Sequence, residues 1–128
     1  MAKASDIIKK ATSYLGTKEN PAGSNKVKFN TDYYGREVKG ASYPWCCTFV
    51  WDIFRLANAS ELFLGGGKTA YCPDVENYYK KHDQWHSSGK PGDLCLMDFG
   101  KGRASHIGIV EKVNDNGTYT TIEGNTSL

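Results

Sequence analysis

The stretch YPWCCTFVWDIF, Tyr43 to Phe54, sets two adjacent cysteines between a proline–tryptophan pair and an apolar run of helical period. Pro44 disfavours helix at the residue before it, and Cys47, Val50, Trp51, Phe54 and Ala57 then form an apolar stripe. A helix is therefore expected from just after Pro44 to about Ala59. Cys46 falls in its first turn, where unpaired backbone N–H groups and the positive end of the helix dipole favour thiolate over thiol. Cys47 lies about 100° further round the helix and is expected to pack inward. Any single cysteine is by default a small buried hydrophobe, so a catalytic reading of Cys46 needs partners elsewhere in the chain.

Such partners lie downstream. Beyond Asp83, GDLCLMDF, SHIGIVEKV and TYTTIEG are short segments rich in β-branched, aromatic and apolar residues. They are expected to be consecutive antiparallel strands, the last two joined by a turn at Asn114–Gly117. His106 opens the second strand, where a rigid backbone can hold an imidazole at a fixed distance from a helix-borne thiol. Glu123 ends the third strand and has the chemistry to accept a hydrogen bond from that ring, and Asn125 has it too. Taken alone, the first is an ordinary solvated strand end and the second a turn residue. His82 and His86 sit in a polar connection and read as surface residues.

Upstream, Ser5 can cap a helix over Asp6 to Leu15 that Gly16 ends, with Ile7, Ile8, Ala11, Tyr14 and Leu15 on one face. From Thr17 to Pro44 no period is sustained, and a long irregular connection carrying aromatic residues is expected. Gly65, Gly66 and Gly67 before Lys68 and Thr69 lack the spacing of a phosphate loop and read as a turn. Thr69 to His82 reads as a further helix, with Pro73 tolerated in its first turn. Helices first and strands after make an α+β domain.

With 128 residues, 39% of them hydrophobic, the chain is expected to form a single domain, 1–128, around one modest core. A net charge of +2, from 16 basic and 14 acidic residues, argues against nucleic acid or an anionic membrane as partner. Met1 to Leu15 lacks the unbroken apolar core of a signal peptide, and no later run spans a bilayer. The four cysteines are irregularly spaced and expected to be reduced thiols. No Cys-x-x-Cys pair supports zinc. Asp32 and Glu37, within Asn30 to Glu37, offer oxygens but not the spacing of a helix–loop–helix calcium site, so no cofactor is expected.

YPWCCTFV, ASHIGIV and TIEGNTS, in that order and in these helix and strand contexts, resemble the CHAP family of cysteine, histidine-dependent amidohydrolases/peptidases. NKVKFNTDYYG is similar to the loop at the entrance of CHAP domains in phage endolysins and bacterial wall hydrolases. The resemblance implies a papain-like α+β fold, helices packed on an antiparallel sheet, in which a helix-start cysteine faces a strand histidine across a groove. It implies cleavage of an amide bond in bacterial peptidoglycan, by an N-acetylmuramoyl-L-alanine amidase or a stem or cross-bridge endopeptidase. Residue by residue, it identifies Cys46 as the nucleophile, leaves Cys47 at the small-residue position, and identifies His106 as its partner and Glu123 or Asn125 as the group orienting the ring. The Cys46 backbone N–H would form part of the oxyanion hole, with Tyr43 a candidate second donor. Tyr33, Tyr34, Tyr43, Trp45 and Trp51 lie in or beside the loop and helix that would wall the groove, with Tyr43 and Trp45 the candidates to bind substrate, while most of these rings are expected to be core or rim.

Two departures matter. The aspartate cluster that binds calcium in some members is reduced to Asp32 and Glu37. Family domains also continue for one or two strands after the Glu/Asn motif, so the expectation is a monomer whose sheet is completed within a longer chain or by another chain. The protein would be made in the bacterial cytoplasm without a signal peptide and act on the wall after release. The competing readings are a catalytically silent wall-peptide binding module and a zinc-stabilised interaction domain.

Overall fold

The computed structural model describes residues 4–15, 17, 24–40, 43–85, 89–97 and 106–124. Helix α1 spans Ala4–Ser13 and buries Ile7 and Ala11, the same face expected from the sequence, two residues nearer the N-terminus than the sequence reading set it. Helix α2, Lys28–Tyr34, lies inside the segment expected to be irregular. It escaped notice because its one buried apolar residue is Phe29, and the other side chain it buries is the polar Asn30. A seven-residue helix of that kind has no apolar stripe and is held by its neighbours rather than by propensity. Gly35 closes it in the left-handed conformation at φ 73°, donating its N–H to the Thr31 carbonyl.

Helix α3, Cys46–Leu56, is the centre of the fold and is buried more widely than the expected stripe. Cys46, Cys47, Thr48, Phe49, Val50, Asp52, Ile53 and Phe54 are all buried, while Trp51 and Ala57 are only partly so. A helix covered on nearly all sides shows no clean 3.6-residue stripe. It stops at Ala57 because Asn58 adopts φ 57°, and Ala59 N–H then reaches back to the Phe54 carbonyl at 2.8 Å and Asn58 N–H to that of Arg55 at 3.1 Å. Two short 3-10 turns, Ser60–Leu62 and Leu64–Gly66, carry the chain past the glycines. Helix α4, Cys72–Lys81, begins with Pro73 in its first turn and ends at a left-handed Asp83 in the same way.

Strands β1 (Leu94–Met97), β2 (His106–Val113) and β3 (Tyr119–Glu123) form an antiparallel sheet in the order β1-β2-β3. Gly117, at φ 85°, turns the chain between β2 and β3. The register pairs Ile107 with Leu96 and Ile109 with both Leu94 and Ile122. Strand alternation therefore gathers these residues on the face that packs on α1 and α3, and sets His106, Gly108, Cys95 and Glu123 on the other. Phe29 seals the helical layer, stacked on Trp45 at 5.8 Å and edge-on to Phe49 at 4.9 Å. The result is the α+β fold of helices on an antiparallel sheet.

Candidate active site

Cys46 is the first residue of α3, after an N-cap, Trp45, that offers no side-chain cap. Its position is fixed by a buried polar clamp. Asn30 on α2 donates both amide protons, to the carbonyls of Asn25 at 2.9 Å and Tyr43 at 2.8 Å, and accepts from Thr48 Oγ1 at 2.7 Å. Asn30 and Thr48 are wholly buried, so this satisfied set ties the segment before Cys46 and the first turn of α3 to α2. Cys47 is also wholly buried, as expected.

His106, the first residue of β2, meets Cys46 at the helix start. The two side chains act on each other's proton affinity, the thiol raising the ring's and the ring lowering the thiol's. The ring's Nε2 lies 2.8 Å from Glu123 Oε1. The second Glu123 oxygen accepts from Thr121 Oγ1, so both carboxylate oxygens are held. Glu123 pairs with Gly108 across the strands, and a Cβ on Gly108 would lie only 2.6 Å from Glu123 Cγ. The missing side chain is what lets the carboxylate lie over β2 and reach His106. The structure thus brings Cys46, His106 and Glu123 into one chain of contacts, while Asn125 lies outside the described residues.

The electrostatics differ from the simple helix-terminus argument. Cys46 keeps 6% exposure and His106 5%. The Cys72 thiol, with its sulfur 3.7 Å from that of Cys46, and then burial push the Cys46 thiol well above its ordinary value, with His106 pulling the other way. His106 is held above its usual range, chiefly by Cys46 and then by Glu123, against the effect of burial. Both shifts favour a protonated Cys46 sulfur beside an imidazole of raised proton affinity.

Trp45, expected to bind substrate, is instead a core residue, 8% exposed and stacked on Phe29. Tyr43 is half-buried and edge-on to Tyr34 at 5.1 Å. Tyr34 continues to Tyr33 and Trp51, and Lys68 Nζ lies 4.4 Å from the Tyr33 ring centre. These rings form one aromatic wall. A cavity of about 490 Å³ lies away from the site, lined by Ile7, Phe54, Trp85 and Val110 among others, and none of Cys46, His106 or Glu123 lines it.

Asp32 and Glu37, the two carboxylates considered for calcium, both face cationic side chains. Asp32 lies on α2 with Lys28 at 2.6 Å and Arg55 at 3.2 Å. Glu37 is exposed and faces Lys26 at 3.4 Å. Among the described residues no three His, Cys, Asp or Glu side chains gather to hold a metal, and no helix is long and apolar enough to cross a membrane. His82 stacks on Tyr78 at 4.2 Å, and His86 lies outside the described residues.

Sequence reasoning missed Thr121, Gly108, Asn30 and Cys72. Two of them left a trace. A glycine in the middle of HIGIV marks a close approach in a strand, and Thr121 stands two residues before Glu123, on the same face. Asn30 left none.

A thiol, an imidazole and a carboxylate, met in that order across a helix start and a strand start, are the residue types that nucleophilic catalysis uses as nucleophile, base and orienter. The CHAP domain family matches residues 38–125, and the chain belongs to that family. Membership implies hydrolase activity of the peptidoglycan amidase or peptidase type. No curated protein and no solved structure matched the chain.

Proposed function

We propose that this protein cleaves an amide bond of bacterial peptidoglycan with Cys46 as nucleophile, as the catalytic part of a phage or prophage lysin. The observation that carries the reading is the position of His106, between the Cys46 thiol and the Glu123 carboxylate. As Cys46 Sγ attacks the carbonyl carbon, His106 takes the thiol proton, and Glu123 stabilises the imidazolium that results. The oxyanion is received at the start of α3, where the N–H of Phe49 is the first to bond back to Trp45. The N–H groups of Cys46 and its neighbours therefore stand ahead of the helical ladder, with the Tyr43 hydroxyl the candidate second donor. Imidazolium then protonates the leaving amine, and His106 activates the water that hydrolyses the thioester. The wall of Tyr33, Tyr34, Tyr43 and Trp51 supports packing of a glycan or stem peptide beside the thiol.

One feature favours the silent binding module instead: Cys72 and burial both hold Cys46 as thiol. Digestion of purified peptidoglycan from several Gram-positive bacteria, with products identified by mass spectrometry, separates the two. Wild type and Cys47→Ala should release fragments and Cys46→Ala none. New ends between muramic acid and alanine mean amidase, and cleavage within the stem or cross-bridge means endopeptidase. Absence of product from folded wild type overturns the hydrolase reading.

A further inference from the structure

Cys72 has no part in the hydrolytic chain, yet it touches the nucleophile. Its sulfur lies 3.7 Å from that of Cys46, and both residues are buried. Each is also the first residue of a helix, Cys46 of the 11-residue α3 and Cys72 of the 10-residue α4. Two helix N-termini therefore converge, and each brings a thiol to the same buried point. A disulfide bond is about 2.05 Å long, so closure asks for roughly 1.7 Å of combined sulfur movement, within reach of side-chain rotation. Of the other two cysteines, Cys47 is wholly buried on a different side of α3, and Cys95 sits on β1 opposite Gly108.

We propose that Cys72 is a resolving thiol for Cys46, and that the two form a reversible disulfide which switches hydrolysis off and protects the nucleophile from irreversible oxidation. The oxidant is a peroxide. Cys46 sulfur attacks one peroxide oxygen and the O–O bond breaks, giving a sulfenic acid and hydroxide, which leaves as water with the Cys46 proton. Cys72 sulfur then attacks Cys46 sulfur, the S–S bond forms, the S–O bond breaks, and hydroxide departs as a second water with the Cys72 proton. Two thiols lose two electrons in all, and one peroxide becomes two waters. A dithiol reductant reverses the bond by exchange.

The proposal rests on Cys46 being the hydrolytic nucleophile, but its chemical readout does not. Wild type and Cys72→Ser are treated with hydrogen peroxide, weighed intact, mapped by proteolysis without reduction, and assayed on peptidoglycan before and after dithiothreitol. Wild type should lose two hydrogens, about 2 Da, yield one cross-linked peptide joining Cys46 to Cys72, lose activity, and regain it on reduction. Cys72→Ser should instead gain two or three oxygens on Cys46, about 32 or 48 Da, and stay inactive after reduction. Oxygen addition on wild-type Cys46 without a bridge, or a bridge to Cys47 or Cys95, overturns the proposal, and this wild-type result stands even if the variant does not fold. A Cys46–Cys72 bridge in a protein that never hydrolyses peptidoglycan would sink the hydrolase reading and leave the disulfide standing.

Discussion

Gly108→Ala tests whether Glu123 matters as an orienter of His106, because it alters neither residue chemically. The added Cβ would sit 2.6 Å from Glu123 Cγ, and 3.4 Å from both Glu123 Cδ and the Ile122 carbonyl oxygen. Ordinary carbon contact begins near 3.4 Å, so Glu123 Cγ must retreat by roughly 0.8 Å or β3 must separate from β2. Retreat is not free, since one carboxylate oxygen is held by His106 and the other by Thr121. A displacement of that size stretches the 2.8 Å contact to His106 beyond hydrogen-bond range. Misplacement by about 1 Å costs on the order of 100-fold in rate, and overpacking costs about 1–3 kcal/mol in stability. The assay is initial-rate hydrolysis of purified peptidoglycan beside a thermal melt. Gly117→Ala serves as control, because Gly117 needs its positive φ of 85° but has open space around it and lies in the hairpin turn. It should lower the melting temperature and leave the rate alone. A folded Gly108→Ala protein hydrolysing within about twofold of wild type would refute the reasoning.

Three further outcomes are expected. Glu123→Gln removes a charge that raises His106, so the rise of kcat/KM with pH should begin at lower pH while its plateau drops; an unmoved profile would mean that the carboxylate does not act on the ring. Thr48→Val keeps the shape but strands the buried Asn30 oxygen, at a cost of about 1–3 kcal/mol read by urea unfolding, and a neutral result would deny the clamp its role. Burial, and then neighbouring Asp32, push the Asp52 carboxyl up to about 7, with Arg55 opposing. The folded state therefore binds that proton more tightly than the unfolded chain, and stability should fall as pH rises from the model-peptide value of 3.8 towards 7. Asp52→Asn should flatten that slope, and equal slopes in both proteins would place the titration elsewhere.

The fold was legible wherever a local pattern carried it. The strand segments, the turn at Asn114–Gly117 and the helix after Pro44 rest on periodicity and on turn chemistry, which act over a few residues. Helix α2 was not legible, because its stability lies in Phe29 packing on Trp45 and in Asn30 bonding to two distant carbonyls, both properties of the assembled core. Trp45 was open to two readings for a related reason. A tryptophan beside Cys46 suits a groove wall as well as a core, and only the arrival of α2 decides which side it faces. At the site, Cys46, His106 and Glu123 stood out by their places at element ends. Cys72 did not, since two helix starts 26 residues apart carry no sign that they converge.

That convergence alters what the helix terminus contributes to Cys46. A charge at a helix end gains about 0.3–1 kcal/mol, and up to about 2 kcal/mol where partly buried, whereas desolvating a buried ionisable group opposes its charge by several kcal/mol. With Cys46 only 6% exposed and Cys72 hydrogen-bonded to it, burial wins at rest and the proton stays on sulfur. In the reaction we propose, the dipole and the N–H groups at the start of α3 act mainly later, when negative charge leaves sulfur for the substrate oxygen. In that state the charge moves towards donors already oriented, and the proton goes to an imidazole whose affinity Cys46 and Glu123 raise. A thiol that stays protonated until His106 removes its proton makes proton transfer and attack one coupled event, so the proposed reaction depends on His106 holding its position more than on a standing thiolate. On that reading the space left by Gly108 and the grip of Thr121 on Glu123 belong to the chemistry of the site.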